Sequence, residues 1–463
     1  MAHVFISAAH KSSGKTTVTL GLAAALARRG LAVQPFKKGP DYIDPMWLGL
    51  AAGRPCRNLD FHLMSRDEIR ASFARHGRAA QISLIEGNKG LYDGLDLHGT
   101  NSNAALAAML GSPVVLVIDA RGMTRGIAPL ILGHQAFDRS IRIAGVILNN
   151  LGGARHEQKL RAVIAHYTDV EVIGAVPHDE GIAIVERHLG LVPSNETAAA
   201  AGIVDAVRQR IEQSVDLDRL LAIAASAAPL PEAPAPRAAA AGEARLRVGI
   251  ARDAAFGFYY ADDLDALREA GAELLPIDML HARRLPEIDA LVIGGGFPET
   301  HMRELEANEA LRRDVAQAIE AGLPVYAECG GLMYLARSIR WQGETARMVG
   351  ALAGDAVMHE RPVGRGYARL EGTTEASWLP AGPGEEVPAH EFHYASLENL
   401  PPGLRYAYRV TRGHGVDGAR DGIVHHNVLA SFCHLRGAGE RGWVRPFVDF
   451  ARQRASFARR RAS

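Results

Sequence analysis

Only three cysteines, Cys56, Cys329 and Cys433, occur in 463 residues. They are too few and too scattered for a disulfide framework or for paired metal-ligand spacing, and a reducing cytoplasm is the expected compartment. Net charge is also missing. Fifty-two basic residues balance fifty-two acidic ones, so no overall field draws in nucleic acid or an anionic membrane. No run of eighteen apolar residues is free of charges and turn signals, which argues against a membrane-spanning helix. The first apolar stretch, His3-Val4-Phe5-Ile6-Ser7, reads as a strand and not as a leader.

What is present is ample apolar residue, 48% of the chain against 22% charged, enough for two or three ordinary cores. Residues 224–243 are rich in Pro and Ala with almost nothing to bury, and read as a semi-extended linker. This divides the chain into domains at 1–223 and 244–449, followed by a basic tail at 450–463. Before the linker, Ile82–Ile85, Val114–Ile118, Ile143–Leu148 and Val170–Val176 read as buried parallel strands alternating with helices. After it the alternation restarts with Arg247–Ala251, Leu274–Ile277, Ala290–Ile293 and Val325–Ala327. Both halves are therefore expected to be α/β.

The first strand runs into Ala9-His10-Lys11-Ser12-Ser13-Gly14-Lys15-Thr16-Thr17. A phosphate loop usually opens on glycine where this chain has Ala9, but Gly14-Lys15-Thr16 keeps its core. A strand before it and an amphipathic helix over Thr17–Arg29 would converge backbone N–H groups on phosphate. Ser13, Gly14, Lys15, Thr16 and Thr17 are thus expected to bind ATP, with Lys15 on the β- and γ-phosphates and Thr16 on Mg²⁺. Lys37, in the segment that follows the second strand, is assigned to the same nucleotide site. Acids follow at strand ends, where ligand crevices form in this architecture. Asp41 and Glu86 are expected to join Thr16 around Mg²⁺, while Asp44 and Asp93 orient substrate or serve the chemistry. Asp119, at the end of Val114–Ile118, has the look of a Walker-B acid, which leaves the main metal ligand open. Helix or turn capping is the competing reading for each acid.

In the second half, Val325-Tyr326-Ala327-Glu328-Cys329-Gly330-Gly331 is an apolar strand breaking into a glycine turn. Such an elbow holds a nucleophile out toward substrate. Gly294-Gly295-Gly296, after the preceding strand, offers N–H donors to an oxyanion, with Gly295 and Gly296 as the candidates. A thiol needs a base, and the strand Leu429–Leu435 delivers His434. Cys433 reads as structural. The competing reading of Cys329 is a small buried hydrophobe.

Taken together and in order, Ser13-Gly14-Lys15-Thr16-Thr17, Phe36-Lys37-Lys38-Gly39-Pro40-Asp41-Tyr42-Ile43-Asp44-Pro45, Gly90-Leu91-Tyr92-Asp93-Gly94, Gly295-Gly296-Phe297-Pro298-Glu299, Glu328-Cys329-Gly330-Gly331 and His390-Glu391-Phe392-His393-Tyr394 resemble one family over essentially the whole chain: the glutamine-dependent cobyrinate and hydrogenobyrinate a,c-diamide synthases. The resemblance implies an ATP-binding domain similar to dethiobiotin synthetase and a class I glutaminase-like domain. It implies a thioester on Cys329 with His434 as base, ammonia release, ATP-dependent phosphorylation of a tetrapyrrole acetate group, and amidation of that acyl phosphate. It places Asp41, Asp44, Glu86 and Asp93 around substrate, Mg²⁺ and the phosphorylated intermediate, and is compatible with a homodimer.

Two departures stand out. Many class I glutaminases carry a glutamate two residues past the histidine, where this chain has Arg436, so the group orienting His434 is unidentified. Asn88-Lys89, beside Tyr92 at the expected substrate crevice, replaces small or apolar residues. With Ala9-His10-Lys11, it resembles the branch that amidates sirohaem. Two other readings use part of the same residues: a ParA- or MinD-like ATPase switch, and a noncatalytic tetrapyrrole carrier with His390 or His393 on iron.

Overall fold

In a computed structural model, the described residues are 1–179, 186–187, 190–197, 199–229, 246–376, 378–379 and 382–462. The chain divides into two compact units, Met1–Ala235 and Pro236–Ser463. The division falls inside the Pro/Ala-rich stretch, whose residues 230–243 lie outside the described ones.

In the first unit, strands and helices alternate as β1 (Ala2–Ala8), α1 (Lys15–Arg28), β2 (Val33–Lys38), α2 (Ile43–Ala52), β3 (Arg57–Leu59), α3 (Arg66–Gly77), β4 (Ile82–Glu86), α4 (Asn103–Leu110), β5 (Val114–Asp119), α5 (Ile127–Phe137), β6 (Ile143–Leu151), α6 (Ala154–Tyr167) and β7 (Val172–Pro177). A short pair, β8 (Glu186–Arg187) and β9 (Gly190–Leu191), precedes α7 (Ala200–Ser214) and α8 (Leu217–Ala225). Helix α8 takes in Ala224 and Ala225, which the composition places in the linker, because Ala224 is fully buried.

The main sheet is parallel, in the order β3-β2-β4-β1-β5-β6-β7. Most residues of its strands are buried, which is why several read as unbroken apolar runs. The strand order reverses beside β1, and a ligand crevice opens at such a point outside the carboxyl ends of the strands. Register then fixes the neighbours there: Glu86 on β4 lies beside Ile6 of β1 and Lys37 of β2.

The second unit opens with β10 (Leu246–Ala251), β11 (Phe256–Phe258), α9 (Ala261–Glu269), β12 (Ala272–Ile277), β13 (Ala290–Ile293), β14 (Gly295–Gly296), α10 (Met302–Ala307), α11 (Glu309–Glu320), β15 (Val325–Glu328) and α12 (Gly330–Leu335). Next come β16 (Ala336–Trp341), β17 (Glu344–Arg347), β18 (Leu352–Met358), β19 (Gly364–Gly372), β20 (Glu386–His393), β21 (Ala395–Glu398), β22 (Arg405–Arg412), β23 (Arg420–His425), β24 (Val428–Ser431), β25 (His434–Leu435) and α13 (Val444–Ala462). The large sheet runs β12-β10-β13-β15-β24-β23-β22-β19-β20-β25. Its first half is parallel and its second half antiparallel. Strand β15 sits centrally: Val325 and Ala327 enter one apolar core and Tyr326 the other, the period-two alternation of a strand buried on both faces.

Past α12, strands β16–β24 mostly pair antiparallel. Two expectations need correction. The run Leu429–Leu435 is not one strand. The buried Asp421 carboxylate accepts from the Phe432 and Cys433 N–H groups, diverting both from a ladder, and the chain re-pairs as β25 on β20. Residues 450–462 of the expected tail continue α13, anchored where Phe447, Val448 and Ala451 are fully buried.

Candidate functional site

The phosphate loop is shaped by two left-handed residues, Ser12 at φ 64° and Gly14 at φ 82°. Such a conformation turns successive N–H groups toward one concavity. No side chain caps the N-terminus of α1, so the loop and helix donors face a common space. Gly14 is required for a second reason. A β-carbon there would lie 2.1 Å from Nδ2 of Asn149, which donates to the Ser13 carbonyl at 3.0 Å. Asn149, at the end of β6, therefore braces the loop, a role carried by no local motif.

Below the loop, four side chains converge. The Thr16 hydroxyl donates to Glu86 Oε1 at 2.6 Å and to Asp44 Oδ2 at 3.4 Å. Lys37 Nζ donates to the same two carboxylates, at 2.9 Å and 2.5 Å. Burial opposes the Lys37 charge, but Asp44 and Glu86 outweigh it and raise its pKa. Lys15 is shifted the other way, lowered first by burial and then by Lys37. Burial of Asp44 is overcome by Lys37, which holds its carboxyl below the usual range; Glu86, fully buried, is raised by desolvation. Asp41 is pushed up to about 7 by burial and by Asp44. Its Oδ1 accepts from the N–H groups of Ile43 and Asp44, so it caps α2. Glu86 Oε2 is buried without a hydrogen-bond partner. Oxygen donors from Thr16, Asp44 and Glu86 on a phosphate loop fit Mg²⁺ and a nucleoside triphosphate.

The remaining expected residues lie apart from this cluster. Asp93 is exposed and accepts from the Gly90 N–H at 2.9 Å; Gly90 itself packs on Ala9 and His10, which puts Asp93 at the rim of the loop. Asn88 accepts from Lys38 Nζ at 3.3 Å, and Lys89 is exposed. Tyr92 does not line the crevice with a free hydroxyl: it donates to the His134 carbonyl and packs on Phe137. Asp119 is held by Arg121 at 2.6 Å. Thr17 lies in the first turn of α1, half-buried.

In the second unit, Cys329 has φ 48° and ψ −102° between β15 and α12, a strained conformation for a side chain with a β-carbon. The surroundings impose it. A β-carbon on Gly331 would lie 2.2 Å from the Ile293 carbonyl, and one on Gly330 would lie 3.1 Å from the Gly296 nitrogen. The glycine strand β14 is thereby held against the elbow, and its pairing with β11 fixes it from the other side. Tyr259 occupies the Gly294 N–H at 2.9 Å. Gly295 abuts the imidazole: a β-carbon there would meet His434 Cε1 at 2.8 Å.

His434 hydrogen-bonds Cys329 and, through Nδ1, Glu328 Oε2 at 3.3 Å. Burial acts to lower its pKa, but the bonds to Cys329 and Glu328 prevail and raise it to about 10. Glu328 is fixed in turn, its Oε1 accepting from the Leu435 N–H at 2.9 Å and the Tyr326 hydroxyl at 2.5 Å. Arg436 is not involved: it reaches the Ala438 carbonyl and Asp262. His390 stacks on His434 with centroids 4.9 Å apart, and bonds the Tyr260 hydroxyl. His393 stacks on Phe432 at 4.2 Å. Both are buried, which disfavours the iron-carrier reading.

Comparison with known proteins matches each unit to a family. Residues 5–192 match the CobQ/CobB/MinD/ParA nucleotide binding domain, and residues 247–441 the CobB/CobQ-like glutamine amidotransferase domain. The chain is 48% identical over 460 residues to a cobyrinate a,c-diamide synthase of Magnetococcus marinus, covering 98% of each chain. It is 43% identical over 477 residues to one of Methanosarcina acetivorans, covering 97% of this chain and 95% of that one. It is 39% identical over 449 residues to one of Archaeoglobus fulgidus, covering 97% of both.

Proposed function

We infer the reaction from one premise: the chain belongs to the cobyrinate a,c-diamide synthase family. It is a glutamine-dependent amide synthase with an ATP-binding domain. We assign its substrate as a tetrapyrrole whose a and c acetate side chains become amides, cobyrinate or hydrogenobyrinate in the first instance. The observation that carries the glutaminase assignment is the set Cys329, His434 and Glu328 beside the Gly295–Gly296 strand.

In the second unit, the Cys329 sulfur adds to the amide carbonyl of glutamine, and the oxyanion turns toward N–H donors of the glycine strand. His434 holds a proton across the neutral range and gives it to the departing nitrogen. Ammonia leaves and a thioester remains. Water then adds to the thioester carbonyl, giving its proton to His434, and the Cys329–carbonyl bond breaks to release glutamate. Glu328 keeps the imidazole oriented through both steps.

In the first unit, the Ser13–Thr17 loop and Lys15 hold the triphosphate. Thr16, Asp44 and Glu86 would hold Mg²⁺, which would supply charge neutralisation at the phosphates. A substrate carboxylate oxygen attacks the γ-phosphorus and ADP leaves. Ammonia attacks the resulting acyl phosphate, whose carbonyl–oxygen bond breaks to release phosphate. Activation is needed because a carboxylate is a poor electrophile. The exposure of Asp93 at the rim of the loop supports a role for it on substrate.

A second substrate reading rests on exposed Lys89, beside Asn88, at the rim of the same crevice. A cation there favours an additional carboxylate partner and supports sirohaem. Purified protein with ATP, Mg²⁺ and glutamine, offered cobyrinate, hydrogenobyrinate and sirohaem in parallel, tests the assignment. Each amidation lowers product mass by about one dalton. Amidation of sirohaem alone overturns the corrinoid reading; ATP hydrolysis with no amidation of any of them overturns both.

A further inference from the structure

At the opposite ends of the strands that carry the glutaminase site, Glu320, His425 and His426 each offer a ligand atom, and the three atoms lie within 4.8 Å of one another. Glu320 closes α11, while His425 ends β23 and His426 follows it in the turn to β24. His426 Nε2 lies 3.1 Å from Glu320 Oε2, and His425 Nε2 lies 3.6 Å from Oε1.

These spacings are informative. Imidazole nitrogens and carboxylate oxygens bind Zn²⁺ at about 2.0–2.2 Å, so neighbouring ligands on a tetrahedron stand about 3.4 Å apart. The two distances, one to each oxygen of the Glu320 carboxylate, lie on either side of that length. Adjacent residues in a strand normally face opposite ways, yet both imidazoles reach the same carboxylate, because His426 takes φ 51°. The ligands are also held in place. Asn427 donates to the Gly322 carbonyl, and its own carbonyl accepts from the Val325 N–H at 3.1 Å, which ties the β23–β24 turn to the loop after α11. His425 is half-buried and Glu320 and His426 are exposed, leaving the fourth position to water.

We propose that Glu320, His425 and His426 form a surface site for a zinc-class divalent transition metal that clips the β23–β24 turn to α11. Two imidazoles select Zn²⁺, Ni²⁺ or Cu²⁺ over Mg²⁺, which requires oxygen ligands. The site is separate from the glutaminase centre: β15 and β24 run parallel from this end toward Cys329 and His434, and four strand residues span about 13 Å. The metal is structural in this position, bracing the base of the two strands.

The test is titration of the chelator-stripped, dialysed full-length protein with Zn²⁺ alone, followed by calorimetry, with Co²⁺ as a spectroscopic substitute. Comparison with variants separates this site from any zinc taken by Cys329 or the nucleotide acids. The expected result is one equivalent more in the unsubstituted protein than in the His425→Ala/His426→Ala variant, with visible Co²⁺ absorption of tetrahedral intensity lost in the variant. Glu320→Gln, an exposed change that leaves the turn intact, should weaken that equivalent at least about tenfold. Zinc should raise Tm by on the order of a few degrees in the unsubstituted protein beyond any rise in the variants. Equal stoichiometry and affinity in the unsubstituted protein and in Glu320→Gln, or the same Co²⁺ spectrum in both, would overturn the proposal even if the double variant failed to fold.

Discussion

Nδ1 of His434 lies 3.3 Å from Oε2 of Glu328, the residue immediately before Cys329. The nucleophile's own strand thus supplies the acid that orients its partner. Position 436 holds an arginine turned to Ala438 and Asp262.

Replacing Glu328 by Gln should preserve the shape and the acceptor for the Leu435 N–H while removing the charge. Glutamine-dependent synthesis should fall by about 10²–10⁴-fold, in line with neutralising the orienting acid of a nucleophile–histidine pair. Synthesis with added ammonium should be nearly unchanged, which steady-state rates with the two nitrogen sources will show. Glu328→Ala is a poorer test, since it strands the Leu435 N–H and Tyr326 hydroxyl in the interior at about 1–3 kcal/mol each.

The pH dependence follows from His434. Its folded pKa, about 10, lies above its ordinary value of 6.5. The stability this contributes is complete below the ordinary value and is lost as pH rises through the folded one. The glutaminase rate should therefore stay flat through neutrality and decline toward pH 10, where the imidazole no longer holds the proton for the departing ammonia. In Glu328→Gln the decline should begin at lower pH. A profile unmoved by that substitution would remove Glu328 from the site.

Strain at Cys329 predicts an inversion of the usual ranking. At φ 48°, Gly is at ease and Ala is not, so Cys329→Gly should be more stable than Cys329→Ala by about 1 kcal/mol in urea unfolding, although Gly ordinarily destabilises.

Asp41 should destabilise the nucleotide domain at neutral pH. A carboxyl whose pKa is raised on folding, here to about 7 by burial and Asp44, withdraws stability as pH climbs from its unfolded value and no more beyond the folded one. Asp41→Asn keeps an acceptor for the Ile43 and Asp44 N–H groups. It should raise Tm at pH 8 without nucleotide or metal, and the gain should shrink toward pH 4. Lys37→Met should do the reverse, costing about 3–5 kcal/mol by leaving Asp44 and Glu86 buried without their ammonium.

Local patterns made the phosphate loop, the Cys329 elbow and the parallel strands legible, because glycine turns and apolar runs are written in neighbouring residues. The partner of His434 was not, since it depends on β24 ending where Phe432 and Cys433 donate to Asp421 of β23 and on the chain re-pairing as β25 on β20, which sets the Leu435 N–H on Glu328, a long-range event. Lys37 looked like a phosphate ligand beside Lys38; only the register of β2 against β4 places it on Glu86. Tyr92 sat in a substrate motif, yet α5 claims its hydroxyl. Helix α13 hid in a basic composition, its apolar stripe spread over Phe447, Val448 and Ala451.

The most direct test of the account is amide formation by Cys329→Ala, measured by product mass with glutamine or ammonium as the nitrogen source. The account predicts no amide from glutamine and near-normal ATP-dependent amide from ammonium, since sulfur is needed only to free the nitrogen. Loss of both in a folded protein would contradict the division of labour between the two units.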